Sequence, residues 1–336
     1  MIRPTITDVA REAQVSTTAV SLYLHNKPGL SQATRERIAR AVDKLDYVPR
    51  GQRKGNASDL IGLLVENLPL PLFSDIFYAE MVQGLESQAR QLGYHTVLTV
   101  VDPQHNDGVP PLVAERQVAG LVAVGGGDIT DEFIASIADT RVPLVLVDNY
   151  LLDGVADCVL PDNEMGAYSA TRHLIERGHR RIAIIMGPAK YKPLIDRQQG
   201  YLRAMMEAGL GPDPELMQPS LSKGVPNKGY REMYALLARQ QRPTAVFCVS
   251  DRTAFGALTA IKEVGLRVPE DVALVGFDDV RESEHTNPPL TTVHVPKREM
   301  GIVAAQRLAD LINRPQAGVP PFKLVLPTYL VIRATS

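Results

Sequence analysis

The chain contains no tryptophan and only two cysteines among its 336 residues. Cys158 and Cys248 lie far apart in apolar runs, without metal-ligand spacing. They read as buried thiols of a reducing compartment, with one distant pairing left open. No apolar run reaches the roughly 20 residues that span a bilayer, and the first residues lack the apolar core of a signal peptide. The expectation is a cytoplasmic protein with no membrane contact. A nucleophile elbow, a phosphate-binding lysine motif and a His/Cys/carboxylate cluster are also missing. Gly125-Gly126-Gly127 is a lone glycine run and reads as a loop. The seven histidines are scattered, and His173 and His179 read as structural. These absences argue against an enzyme and predict no cofactor and no metal.

Charge is nearly balanced overall, at -2, but it is unevenly divided. Residues 1–58 hold ten Lys/Arg against five Asp/Glu, a net +5, which leaves -7 for the remainder. A basic end on an acidic body suits a polyanionic partner at that end alone.

The basic end has a pattern of short helices. In Thr5 to Leu24, Ile6, Val9 and Ala10 form an apolar face, and Asp8 falls in a first helical turn, where an acid favours the helix dipole. Ala13-Gln14-Val15 reads as a joint. Ser16 then caps a second helix with Ala19 and Val20 inward and Thr17, Thr18, Ser21 and Leu22 largely outward. A turn at Asn26, Pro28 and Gly29 leads to Ser31, the cap of a third helix over Gln32–Leu45. Its stripe of Ile38, Ala41, Val42 and Leu45 closes a core with Ile6, Val9, Val15 and Val20. This is the pattern of a helix-turn-helix head that offers the start of its second helix to a DNA major groove.

From Leu60 the pattern changes to short apolar runs alternating with amphipathic stretches. LIGLLVE, HTVLTVV, GLVAV and PLVLV form one series; RIAIIM, TAVFCV and VALVGF form a second. Continuous apolar strands between helices predict parallel sheets covered on both faces. Two series predict two doubly wound subdomains, with a ligand crevice at the carboxyl ends of the strands.

The run TDVAREAQVSTTAVSLYLHNKPGLSQATRERIARAVDKLDYVPR resembles the head of the LacI/GalR family of bacterial transcription regulators. The body resembles that family too, through DNEMGAYSATRHLIERGHRRIAIIMG, SDRTAFGALTAIKEVGLRVPEDVALVGFDD and PPLTTVHVPKREMG. The resemblance implies an all-α helix-turn-helix head and an α/β body of two doubly wound subdomains, periplasmic-binding-protein-like, in a homodimer. It implies a head over 1–49, a linker over 50–59 and a body over 60–336. Within the body, the first subdomain takes about 60–161 plus 292–320 and the second about 162–291 plus 321–336.

The implied DNA contacts are Thr17 and Thr18 at base edges, with Ser16, Ser21, Thr34 and Tyr47 at the sugar-phosphate backbone; Thr5 joins this set. Two departures from the family stand out. Leu22 occupies a position where the family usually carries a guanine-reading arginine, so a different base is expected opposite it. The linker RGQRKGNASD has two glycines and lacks the family's wedging leucine. Its Arg50 and Arg53 either lie along a minor groove or remain solvated.

The implied effector contacts are Asp148, Arg197 and Asp278, with Ser250 as a further polar position and the aromatic pair Phe77 and Tyr78 packing against the ligand. Asn149 lies at the same strand end as Asp148. Carboxylates, an amide and a guanidinium at strand ends suit a polyhydroxylated ligand, because each can bind adjacent hydroxyls. Asp251 reads as helix cap or ligand, and Asp279 as a loop tie. The loop SLSKGVPNKG lacks the aromatic that the family often places over its ligand, and Tyr191 or Phe73 could replace it. The expected function is a DNA-binding transcriptional repressor on a palindromic operator, controlled by a small effector. A sugar is favoured, with a nucleobase or sugar phosphate open. A solute-binding module or a carbohydrate enzyme is the competing class.

Overall fold

The computed structural model describes residues 5–24, 29–45, 59–66, 76–101, 109–115, 117–125, 129–152, 154, 156–211, 213–220, 228–313 and 320–336. The chain divides into two units, Met1–Asp59 and Leu60–Ser336.

The first unit holds three helices: α1 (Ile6–Ala13), α2 (Thr17–Leu24) and α3 (Gln32–Lys44). Thr5 and Asp8 form a reciprocal capping box at the start of α1, which satisfies two otherwise orphaned backbone donors. Gln14 ends α1 in the left-handed region at φ 52°, and this single residue makes the tight joint. The Ser16 hydroxyl accepts the Ala19 N–H at 3.1 Å, and the Ser31 hydroxyl accepts that of Thr34 at 3.2 Å. Val9, Ala10, Ala13, Val20, Ile38 and Ala41 form the core, with Ile6, Val15, Val42 and Leu45 against it. Both helix starts and the apolar stripe therefore lie where the sequence periodicity places them.

The second unit has two lobes. The first is a six-stranded, all-parallel sheet built from β1 (Leu60–Glu66), β2 (His95–Val101), β3 (Gly120–Val124), β4 (Leu144–Val147), β5 (Asp157–Pro161) and β11 (Lys323–Leu326). Its order is β11-β5-β4-β3-β1-β2. Helices α4 (Ile76–Gln91), α5 (Pro111–Ala114), α6 (Asp131–Ala138) and α11 (Lys297–Asn313) accompany it. The α4 and α11 helices pack closely because Gly84 and Gly301 lie at their crossing. A Cβ at either would collide with a backbone carbonyl, of Arg298 or Met81 respectively.

The second lobe is a four-stranded parallel sheet of β6 (Ile182–Ile185), β7 (Met217–Gln218), β8 (Ala245–Cys248) and β9 (Ala273–Val275), in the order β7-β6-β8-β9. It carries α7 (Asn163–Glu176), α8 (Lys192–Glu207), α9 (Tyr230–Leu237) and α10 (Asp251–Glu263). A ribbon of β10 (Thr292–His294) and β12 (Tyr329–Val331) runs beside β9, through bridges Val275–Thr291 and Asp278–His294.

The returning segments divide differently from the expectation. Residues 323–326, expected in the second subdomain, form β11, which pairs in parallel with β5 and completes the first sheet. Residues 292–294, assigned to the first subdomain, bridge to the second. Asp157 accepts bonds from Arg307 Nε at 2.8 Å and the Phe322 N–H at 2.9 Å, which fastens α11 and the residue before β11 to β5. Continuous apolar strands specify burial on both faces but carry no register information about their neighbours.

Both cysteines are free and buried, on β5 and β8. Among the described residues, no helix is long and apolar enough to cross a membrane.

Candidate effector cleft and DNA-reading helix

On the head, Ser16, Thr17 and Thr18 are exposed at the start of α2, as a base-reading helix requires. Ser21 and Leu22 are half-buried, against the expectation that both face largely outward. The Thr5 hydroxyl is engaged with Asp8 at 2.7 Å, and the Thr34 hydroxyl pairs with that of Ser31 at 2.8 Å. Tyr47, Arg50 and Arg53 lie outside the described residues.

In the body, three aspartates at strand ends adopt positive φ: Asp148 (56°) after β4, and Asp278 (118°) and Asp279 (50°) after β9. Such conformations cost free energy and persist where the surroundings impose them. Arg197, in the second turn of α8, is 3% exposed. Its Nη1 donates to Asp278 Oδ1 at 2.8 Å and to the Val249 carbonyl at 2.7 Å, and its Nε donates to Asn163 Oδ1 at 2.8 Å. The guanidinium also lies over the Phe277 ring, 3.8 Å from its centroid. A buried cation is thus locked in place by a charge-assisted bond, a carbonyl, an amide and an aromatic face.

Asp148 faces this arrangement from the other lobe. Burial pushes its pKa up to about 7; the positive charge of Arg197 pulls it down, and Asp278, Glu66 and Asp196 push it further up. Its Oδ1 is buried and has no hydrogen-bond partner among the described residues, and the same holds for Asn149 Nδ2 and Asn163 Nδ2. Buried polar atoms are nearly always satisfied in folded proteins, so these orphans mark a place made for a ligand or water.

The other residues singled out in the sequence are engaged within the protein as follows. Ser250 caps α10, accepting the Thr253 N–H at 3.3 Å. Asp251 is neither the cap nor a solvent-facing ligand. It is fully buried and accepts bonds from the Val280 N–H (3.0 Å), Ser283 Oγ (2.7 Å) and Thr292 Oγ1 (2.5 Å). Burial, more than the repulsion of Asp278, raises its pKa. Asp279 ties its loop as expected, to His294 at 2.8 Å and Arg333 at 2.7 Å. Phe77 is buried in the same continuous core as Phe277; Tyr78 packs against that core and meets Phe77 edge-on at 5.2 Å. His173 and His179 bond Ser336 and Thr244. Phe73 and residues 221–227 of the loop SLSKGVPNKG lie outside the described residues.

Sequence reasoning missed a set of contacts between the lobes. Lys192 Nζ reaches Asp131 Oδ1 and the Tyr150 carbonyl, both at 2.6 Å, and the Tyr150 hydroxyl donates to Asp196 at 2.9 Å. Asn163 was missed as well. The one signal available was position: Tyr150 follows Asp148-Asn149, and Asp196 precedes Arg197.

A helix-turn-helix head followed in the chain by a two-lobed α/β body is the build of a DNA-binding regulator. Residues 5–50 match the model for bacterial regulatory proteins of the lacI family, and residues 171–336 match that for a periplasmic binding protein-like domain. The chain is 37% identical over 321 residues to the HTH-type transcriptional repressor PurR of Erwinia tasmaniensis, covering 92% of this chain and 90% of the relative. It is 35% identical to the PurR of Klebsiella pneumoniae over 316 residues, with the same coverage. Among solved structures, a transcriptional regulator CelR-cellobiose complex is similar at TM-score 0.74 and 32% identity, covering 99% of this chain and all of the other. The lac repressor dimer bound to operator and the anti-inducer ONPF is similar at TM-score 0.72 and 27% identity, with 99% of each chain covered. The chain belongs to the LacI family: it is a DNA-binding transcriptional repressor, and not an enzyme.

Proposed function

We propose that this repressor acts in the cytoplasm as a homodimer on a palindromic operator, and that a small polyhydroxylated effector, a sugar, binds between its lobes. The observation that carries the effector reading is the locked Arg197–Asp278 pair beside Asp148 and Asn149, where Asp148 Oδ1 and Asn149 Nδ2 are buried with no hydrogen-bond partner among the described residues. A guanidinium, carboxylates and an amide can each grip vicinal hydroxyls, which donate and accept at once. That a similar regulator is solved with cellobiose agrees with this chemistry.

Thr17 and Thr18 read bases, while Ser16, Ser21, Thr34 and the linker arginines position the head on phosphates. Two heads related by a twofold axis would read a palindrome. Effector that prefers one angle between the lobes shifts the population of dimers whose heads fit the operator, with a coupling of about 1–3 kcal/mol.

The test is a thermal-shift screen of the full chain against sugars, nucleosides, nucleobases and sugar phosphates. A sugar should raise the melting temperature and change operator affinity in a titration. Stabilisation by nucleobases alone, or by no sugar, would overturn the sugar reading.

A further inference from the structure

Two buried asparagines stand out beside the charged groups of the cleft. Asn149 follows β4, and its Oδ1 accepts the Tyr150 N–H at 2.8 Å. Asn163 opens α7, and its Oδ1 accepts Arg197 Nε at 2.8 Å. In both, the oxygen is committed to the protein, which fixes the amide's orientation and leaves Nδ2 as the group still to be satisfied. Both residues are nearly inaccessible, at 1% and 3% exposure, and both Nδ2 atoms are buried without a partner.

The two also share a place in the fold. Val147 of β4 is paired with Val159 of β5, so Asn149 is level with Pro161, and Asn163 lies two residues further on. Both therefore stand at the carboxyl edge of adjacent parallel strands, one in the first lobe and the other at the crossover into the second. Parallel α/β sheets bind their ligands at this edge.

We infer that Asn149 and Asn163 are paired amide donors for two oxygens of the effector, and that Asn163 also aligns Arg197. The inference rests on the reading of this cleft as the effector site. It defines the ligand's chemistry more closely. The two amides demand acceptors, and the free oxygen of Asp148 demands a donor once ionised, so a group able to do both must lie between them. Hydroxyls on a ring meet that demand. Asp278, Glu66 and Asp196 act on Asp148 as negative charges, against the positive charge of Arg197. Their charge selects an uncharged ligand over a phosphate ester.

Isosteric substitution separates the two roles of Asn163. Asn163→Asp keeps an oxygen for Arg197 and removes the donor to the ligand; Asn163→Leu removes both. The full-length chain is titrated calorimetrically with D-ribose, D-glucose, cellobiose, adenosine and the monophosphates of ribose and glucose. The expected result is that a neutral member binds and its phosphate ester does not. Asn163→Asp and Asn149→Asp should each weaken that binding about tenfold or more. Ligand-free Asn163→Asp should melt no lower than the parent, while Asn163→Leu melts lower. If a neutral member binds the parent and both Asp variants bind it equally well, the orphan donors serve buried water only, and the inference fails while the cleft reading stands. If no member binds the parent, the cleft reading itself fails. Tighter binding of a monophosphate would overturn the charge selection.

Discussion

Lys192, the first residue of α8, bonds Asp131, the first residue of α6, at 2.6 Å and so joins one lobe to the other. Its ammonium also holds the Tyr150 carbonyl, while the Tyr150 hydroxyl holds Asp196. The Asp131 side chain is about half exposed, so the ion pair alone contributes no more than about 1 kcal/mol. Lys192→Met should therefore loosen the lobes without unfolding them. Hydrogen exchange at the start of α6 and at Tyr150 should quicken, and effector affinity should change by less than about tenfold. Unchanged exchange at both places would show that the lobes are held elsewhere.

Asp148 predicts a dependence on pH. Its folded pKa is about 7, raised from 3.8 mainly by burial, so the folded state holds its proton more tightly than the unfolded chain. Its contribution to stability therefore falls as pH rises from about 4 to about 7, and is constant above that. Asp148→Asn removes the ionisation. The variant's gain in denaturant stability should be larger at pH 8 than at pH 5, by on the order of 2 kcal/mol. A larger gain at pH 5 would contradict the assignment.

Arg197 should not tolerate conservative replacement. Lysine cannot reproduce two nitrogens donating to three acceptors while stacking on Phe277. Arg197→Lys leaves Asn163 and Asp278 poorly paired, and unfolding curves should show a loss of about 2–4 kcal/mol. Effector binding should be lost at temperatures where the variant remains folded. Full binding by the lysine variant would remove Arg197 from the site.

Leu22 bears on operator choice. A leucine offers only apolar contact, so Leu22→Arg should gain preference for guanine at one symmetric pair of operator positions, worth about 1–3 kcal/mol per half-site. Binding-site selection with the two proteins reads this directly. An unchanged preference would mean that α2 docks in another orientation.

The head was readable almost residue by residue, because its determinants are local. Caps, the joint at Gln14 and the stripe of Ile38, Ala41 and Val42 act within a few positions. Leu22 is half-buried although helical spacing alone turns it outward. In the body, strands and helices are legible from their apolar runs, which also place Asp148 and Asp278 just after strands. What sequence could not supply was pairing at a distance. The bond from Arg197 to Asn163 and the reach of Lys192 to Asp131 join residues 34 and 61 positions apart. The parallel pairing of β11 with β5 depends likewise on Asp157 holding Phe322, 165 residues away.

That last pairing has a consequence for the order in which the protein is made. The head closes its core with residues that have all been synthesised by position 45, so it can fold while the rest of the chain is still growing. The first lobe cannot do so: its α11 and β11 are supplied after the four-stranded sheet of the second lobe has been translated. Until then, β5 presents an unpaired parallel edge. A nascent chain therefore gains the surface that reads DNA well before the domain that regulates it. Truncations in the final segment should leave a reading head attached to an unfinished controller.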